Sequence, residues 1–153
     1  MPGMQKNPPL QTKDMLIGAL LRVPAHAIHR RIIEELNASG FHELRLAHVA
    51  VMQFPGPDGV RPSVLAERAG MSKQAINQLL RSLEDAGYLV RGDAPVEGRM
   101  RIVRLTRRGH TAYARIHDIL RAIEQEWIAE LGSRDFTELK KLLVRVWESP
   151  LSS

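Results

Sequence analysis

The chain contains no cysteine, which excludes disulfides, thiolate metal sites and cysteine nucleophiles and fits a reducing compartment. Aromatic residues are also scarce, since the 153 residues include only three Phe, two Trp and two Tyr. These are too few for the stacked aromatic platforms that bind single-stranded nucleic acids. No apolar run approaches the ~20 residues that span a bilayer, and residues 1–9 lack the apolar core of a signal peptide. We therefore expect a cytoplasmic protein with a disordered tail over residues 1–10.

Signatures of catalysis and metal binding are missing as well. The sequence has no Gly-x-Ser-x-Gly, phosphate-binding loop or dinucleotide fingerprint. His42 and His48 are six residues apart, whereas a zinc-protease helix places its two histidines four apart. His26 and His29 could share a helical face, but no third ligand accompanies them. The sequence predicts neither an enzyme nor a protein with a metal or a cofactor.

Positive charge is concentrated in one part of the sequence. Residues 61–110 hold ten Lys/Arg and five Asp/Glu, whereas the rest of the chain holds twelve of each. The net charge of +5 therefore lies entirely in this window, between two neutral flanks. Such asymmetry is typical of a module that binds nucleic acid. Because aromatic residues are so few, double-stranded DNA is the expected partner.

Apolar periodicity predicts a mainly α fold with a small β-hairpin. The expected helices cover 12–38 (with Pro24 as a kink or break), about 42–53, 62–70, the segment between Ser72 and Gly87, 106–131 and 134–148. Residues 54–59 form a turn, and strands are expected at 88–91 and 99–105. The terminal helices have more apolar residues than one small module can bury, which favours a homodimer interface over an intramolecular core.

The segment 62–81 matches a helix-turn-helix. Ala66 and Ala69 are small where the two helices cross, and Gly70 suits the turn between them. Leu65 and Ile76 are apolar where the helices must touch. A hairpin of two core helices would show a similar pattern, but a basic β-hairpin follows this one. The sequence therefore favours a DNA-binding module.

The outer face of the second helix carries polar side chains that suit DNA. The predicted contacts are Ser72, Lys73, Gln74, Asn77, Gln78 and Arg81. Gln and Asn pair well with adenine, and Arg and Lys with guanine, whereas Ser72 at the helix start suits a phosphate. A solvated polar face would look the same in isolation, so the prediction depends on the helix-turn-helix match.

The predicted hairpin, which we call the wing, is rich in arginine. Its arginines are Arg91, Arg99, Arg101 and Arg104. Met100, Ile102 and Arg104 alternate with Arg99, Arg101 and Val103, so Val103 is an apolar exception on the basic side. Arginines on a narrow ribbon suit the minor groove, and Arg99 and Arg101 are the wing residues that we assign to DNA. A charged edge that prevents aggregation would explain part of this pattern.

Three stretches carry a family resemblance. The stretches are Leu65–Ile76 (LAERAGMSKQAI), Leu83–Leu89 (LEDAGYL) and Gly98-Arg99 with Val103–Gly109 (VRLTRRG). Together they resemble the MarR family of bacterial transcription regulators over about residues 40–110. The resemblance implies a winged-helix homodimer on palindromic operators, in which the arginine matching Arg99 enters the minor groove and a small phenolic or aromatic ligand releases the DNA.

Two features depart from that family. An Asp often precedes and orients the wing arginine, whereas here Glu97 is separated from Arg99 by Gly98. The lack of cysteine also excludes sensing by thiol oxidation. No motif specifies the operator, the regulated genes, the sign of regulation or the ligand residues.

The expected organisation follows from these elements. A tail (1–10) precedes an N-terminal dimerisation helix (11–40), a winged helix-turn-helix domain (41–110) and C-terminal dimerisation helices (111–149). The predicted function is a cytoplasmic DNA-binding transcription regulator, with repression as the expected sign. The alternative is a winged-helix module that docks a protein without sequence-specific DNA binding, and the dependence of duplex affinity on salt separates the two.

Overall fold

The computed structural model describes residues 11–52, 59–93 and 101–150. Six α-helices and one antiparallel pair of strands lie in these ranges. They are α1 (Ile17–Ala38), α2 (Leu46–Met52), α3 (Pro62–Ala69), α4 (Lys73–Asp85), β1 (Leu89–Asp93), β2 (Arg101–Leu105), α5 (Arg107–Leu131) and α6 (Ser133–Trp147). The predicted mainly helical winged fold is thus confirmed. The tail at 1–10 and the turn at 54–58 lie outside the described residues.

Helix α1 begins later than the sequence predicts. Residues Thr12–Asp14 form a separate 3-10 turn, and Met15 and Leu16 are extended before the helix starts at Ile17. Leu16 is 84% exposed, so packing against the described residues does not draw the segment into the helix. The helix continues through Pro24 to Ala38, so the predicted break at this residue is wrong, although an interior proline removes one hydrogen bond and crowds the preceding turn.

Helix α2 also starts later, at Leu46 instead of about residue 42. The main-chain N–H of Arg45 donates to Nδ1 of His48 (3.0 Å), which satisfies a donor at the helix start. Leu44, in the turn before α2, is buried together with Val49 and Met52.

Helices α3 and α4 form the predicted helix-turn-helix. Pro62 is the first residue of α3, and Gly70 closes that helix at φ +63°, a backbone angle that side chains disfavour. Ser72 then caps α4, since its Oγ accepts the Ala75 N–H (3.1 Å). Ile76, Leu80 and Leu83 are buried with Leu65 and Ala66 of α3, so α4 keeps one face on the core and the other toward solvent.

The wing strands pair in a register that places Arg91 opposite Val103. On its other edge, Val103 exchanges two main-chain hydrogen bonds with Val60 (3.0 and 2.7 Å). Val103 is fully buried in the core, so the side assigned to the arginines is not uniformly basic. Val103, the apolar exception in the pattern, is thus the residue of β2 that pairs with β1 on one edge and with Val60 on the other.

Helices α5 and α6 complete the fold. Thr106 caps α5 as predicted, accepting the Gly109 N–H (3.1 Å). The second half of α1 packs along α5, where Ile32 and Ile116 are buried. Phe136 is the buried residue of α6. No helix in the described ranges combines the length and apolar character required to cross a membrane.

Candidate nucleic-acid interface

The outer face of α4 forms a single open polar depression of about 520 Å³, lined by Gln74, Asn77, Gln78 and Arg81. Four of the predicted contacts therefore lie together. Their common orientation follows from the opposite, apolar face, which holds α4 against the core.

Ser72 and Lys73 lie exposed at the start of α4. The Ser72 oxygen accepts the Ala75 N–H, which leaves its hydroxyl hydrogen able to donate to an anion. Lys73 is the first helical residue and adds a positive charge at the positive end of the helix dipole. The two residues are thus placed beside the α4 depression in a geometry that suits a phosphate.

Asn77 differs from its neighbours on α4 because both ends of its amide have protein partners. Its Nδ2 donates to the main-chain oxygen of Lys73 (2.9 Å), and its Oδ1 accepts from Nη1 of Arg91 (3.4 Å). Arg91, which the sequence groups with the groove-binding arginines, is therefore turned toward α4. Base contact by Asn77 stays a prediction, and in the structure this side chain joins α4 to β1.

The wing tip lies largely outside the described residues. Arg99 and Glu97 belong to the gap at 94–100, and Arg101 is described only by its backbone, which pairs with Asp93 at the end of the hairpin. Arg104 is half-buried next to Gly59, where an added Cβ would lie 2.9 Å from Arg104 Cγ. Minor-groove contact by Arg99 and Arg101 therefore stays a prediction.

A polar cluster that sequence reasoning missed lies at the base of the wing. The hydroxyl of the buried Tyr88 donates to Glu43 Oε2 (3.0 Å), and Arg108 donates to Glu43 Oε1 (2.7 Å) while its guanidinium lies 4.8 Å from the Tyr88 ring centre. A hydrogen bond from its own main-chain N–H, followed by the Tyr88 hydroxyl, holds the pKa of Glu43 below its ordinary value. Burial raises the pKa of Tyr88. No local pattern connects residues that are 45 and 65 positions apart.

His48 connects α2 to α4. Because the Arg45 N–H donates to Nδ1, the ring proton lies on Nε2, which donates to Ser82 Oγ (3.1 Å). Burial, followed by the charge of Arg45, lowers the pKa of His48. The histidine is hydrogen-bonded, and no cluster of three potential metal ligands occurs within the described parts of the chain. It lines a cleft of about 640 Å³ between the 42–48 segment and α4.

Both ends of the chain expose apolar side chains. Leu16, Ile17 and Val23 of the α1 region are 84%, 70% and 61% exposed. On α6, Val146 and Trp147 are 55% and 70% exposed. Exposed large apolar side chains grouped in this way are typical of protein interfaces.

Comparison with known proteins places these features in context. A model described as MarR family matches residues 49–100. HTH-type transcriptional repressor Rv2887 of Mycobacterium tuberculosis is 33% identical over 144 residues, covering 94% of this chain and 97% of that protein.

Solved structures agree with the sequence matches. The M. tuberculosis MarR family protein Rv2887 in complex with DNA has 27% identity and a TM-score of 0.62, covering 87% of this chain and 98% of that chain. Its complex with salicylic acid has 28% identity and a TM-score of 0.61, covering 89% and 99%. CouR from Rhodococcus jostii RHA1, bound to p-coumaroyl-CoA, has 19% identity and a TM-score of 0.74, covering 90% and 95%, and supports the fold alone.

Proposed function

Because the chain belongs to the MarR family of transcription regulators, we propose that it is a cytoplasmic repressor that binds palindromic operator DNA as a homodimer. Its family regulates transcription and is not enzymatic, in agreement with the prediction from the sequence. The observation that supports this function most is the polar depression on α4, on a helix whose other face is buried. The likeness to the DNA complex of Rv2887 supports it independently.

In the proposed complex, α4 enters the major groove. Gln74, Gln78 and Arg81 contact base edges, since their amide and guanidinium groups match adenine and guanine. Ser72 and Lys73 hold a phosphate at the helix start. The wing follows the neighbouring minor groove, where Arg99 and Arg101 meet its negative potential. Residues 41–110 thus form the DNA-binding domain.

The homodimer is proposed from the exposed apolar arms, by which we mean residues 11–40 and 111–149. Between these arms lies a mostly apolar cleft of about 360 Å³, which is lined by Ile28 of α1 and by Phe136 and Leu143 of α6. A second copy of the chain would cover these surfaces. It would also present two α4 helices about 34–36 Å apart, the spacing of two half-sites on one face of DNA.

The effector is proposed to be a small aromatic carboxylic acid, as in the Rv2887 complex with salicylic acid. The cleft between residues 42–48 and α4 suits such a molecule, because Arg45 offers a cation for the carboxylate while Met71 and Leu79 offer an apolar wall. Gln78 lines the same cleft. A ligand there would lie directly behind the surface that contacts bases.

The proposed function is tested by binding measurements on duplexes selected by the protein from a random library. Replacing Gln78 or Arg81 with Ala should cost about 1–3 kcal/mol on the selected duplex and reduce discrimination. Replacing Arg99 or Arg101 with Ala should weaken all sequences alike and lower the salt slope by about 1. A chain that selects no duplex, or binds without salt dependence, would contradict the proposal and support protein docking instead.

The effector proposal has its own measurement. Salicylate should release the selected duplex from the parent protein, and Arg45→Ala should weaken this response while the duplex still binds. Arg121→Ala, which removes an exposed arginine of α5, should leave the response unchanged. Salicylate that leaves duplex binding unchanged at saturation would contradict the proposed role.

A further inference from the structure

Arg91 of β1 is directed at α4, not at solvent. Its side chain is only 18% exposed. The guanidinium donates twice to Asn77, through Nη1 to Oδ1 (3.4 Å) and through Nη2 to the main-chain oxygen (3.3 Å). Its Nε is buried and lies 3.4 Å from Glu84 Oε2. This distance is within the range of an ion pair, but the two atoms are not aligned for a hydrogen bond. Three nitrogens of one guanidinium therefore face a single helix.

The two partners of Arg91 are spaced so that they define the orientation of α4. Asn77 and Glu84 are seven residues apart, which is about two helical turns and nearly the same angular position. A rigid guanidinium held at both points resists rotation of α4 about its axis and tilting against β1. Asn77 also borders the polar depression with Gln78 and Arg81, so the restraint acts on the surface assigned to bases.

We propose that Arg91 is a positioning residue that sets the rotation of α4 relative to the wing and does not itself contact DNA. The inference rests on the proposed function of α4 in binding DNA. Through Asn77, Arg91 aligns Gln78 and Arg81 with the base edges. Replacing Arg91 with lysine removes its contact to Asn77 but keeps the positive charge of the interface. The loss of the contact loosens the surface of α4 that discriminates between sequences.

A competing role for Arg91 would be a phosphate or minor-groove contact, as for the other wing arginines. The two roles make different demands on the side chain. Lysine can serve a phosphate as a point charge, but its single ammonium cannot reproduce the contacts to both oxygens of Asn77 together with the Glu84 pair. The variants Arg91→Lys and Arg91→Ala therefore separate positioning from charge.

The experiment compares the parent, Arg91→Lys and Arg91→Ala on two duplexes over a range of salt concentrations. One duplex is selected by the parent from a random library, and the other has the same composition in scrambled order. If Arg91 positions α4, Arg91→Lys loses about 10-fold on the selected duplex, the loss expected for one impaired base contact. Its affinity for the scrambled duplex and its salt slope stay those of the parent.

The opposite result would identify a DNA contact. Arg91→Lys would then bind both duplexes like the parent, while Arg91→Ala would weaken both alike and lower the salt slope by about 1. That result overturns the positioning role. A parent that selects no duplex overturns the proposed function and this role together, whereas a selective parent with an equally selective Arg91→Lys overturns this role alone.

A double-mutant cycle with Asn77→Ala tests the route of the effect. If Arg91 acts through Asn77, adding Arg91→Lys to Asn77→Ala changes discrimination by less than about twofold, because the contact is already lost. If the two substitutions instead reduce discrimination independently, so that their fold-losses multiply, Arg91 does not act through Asn77. Thermal unfolding of each variant without DNA confirms that affinities are compared between folded proteins.

Discussion

Gly109 lies where helix α5 passes closest to the wing, and its replacement by alanine should destabilise the protein strongly. A Cβ built on Gly109 would lie 1.9 Å from the main-chain oxygen of Tyr88 and 3.0 Å from its carbonyl carbon. Carbon and oxygen atoms in contact are ordinarily about 3.3 Å apart or more. Since both obstacles are backbone, no side-chain rotation relieves the overlap, and α5 must move away from Tyr88 by more than about 1 Å.

The contacts between α5 and the root of the wing set the free-energy cost of this displacement. The Tyr88 oxygen accepts the Thr106 N–H (3.0 Å), and the Thr106 hydroxyl donates to the Gly87 oxygen (2.6 Å). Loss of the two bonds costs about 1 kcal/mol each, and forcing an atom into a packed site costs about 1–3 kcal/mol. Gly109→Ala should therefore lower the free energy of unfolding by about 3–5 kcal/mol, a large share of the 5–15 kcal/mol typical of domains.

The assay is thermal and urea unfolding at one protein concentration, with Gly18→Ala as the matched control. Gly18 lies in the first turn of α1, and nothing in the described residues lies within 4 Å of a Cβ added there. Its replacement should be neutral or stabilising by up to about 1 kcal/mol. At this chain length 1 kcal/mol corresponds to about 2–4 °C, so Gly109→Ala should melt at least about 6 °C below the parent. Equal melting temperatures for Gly109→Ala and the parent would refute the reasoning.

Two further predictions concern the arms and His48. Leu21 is 44% exposed on the apolar side of α1. Because Leu21→Asp places a charge there, it should raise the dimer dissociation constant at least about 10-fold with unchanged helix content. Sedimentation that shows an equally tight dimer would rule out this face as the interface. Because burial holds the folded-state pKa of His48 below its ordinary 6.5, the unfolded chain takes up the proton first, so stability falls as pH drops below about 6.5. The melting temperature of the parent should therefore fall more between pH 7 and pH 5 than that of His48→Gln, and parallel pH profiles would contradict this.

Local signals accounted for most of the winged module. The Gly70 turn, the start of α4 after Ser72 and the outer polar face of α4 all follow from neighbours within four residues, and the structure has them where the sequence predicts. Helix starts were less predictable. Leu16, just before α1, is apolar but lies exposed among the described residues, and α2 starts at the hydrogen bond between Arg45 and His48.

The candidate site was only partly predictable for a related reason. The outward direction of Gln74, Gln78 and Arg81 is a consequence of helical periodicity, which a sequence displays directly. The turn of Arg91 toward Asn77 depends on the angle between β1 and α4, which tertiary packing sets. Composition identifies an arginine in the wing, but only the packing of the wing on α4 decides whether it faces DNA or protein.

The route between the proposed dimerisation arms and the proposed DNA-binding surface runs through α5. Partly exposed ion pairs such as Arg115 to Glu35 (2.9 Å) join α5 to α1, but solvent screening keeps the contribution of such pairs small. The connection depends instead on buried contacts. Ile116 is buried where α5 packs along α1, and Gly109 lies directly against Tyr88 at the root of the wing. Because that contact leaves no space, the start of α5 and the wing must move together. In the proposed homodimer, a ligand can therefore change the spacing of the two α4 helices by shifting one protomer against the other or by bending α5, but not by sliding the wing along it.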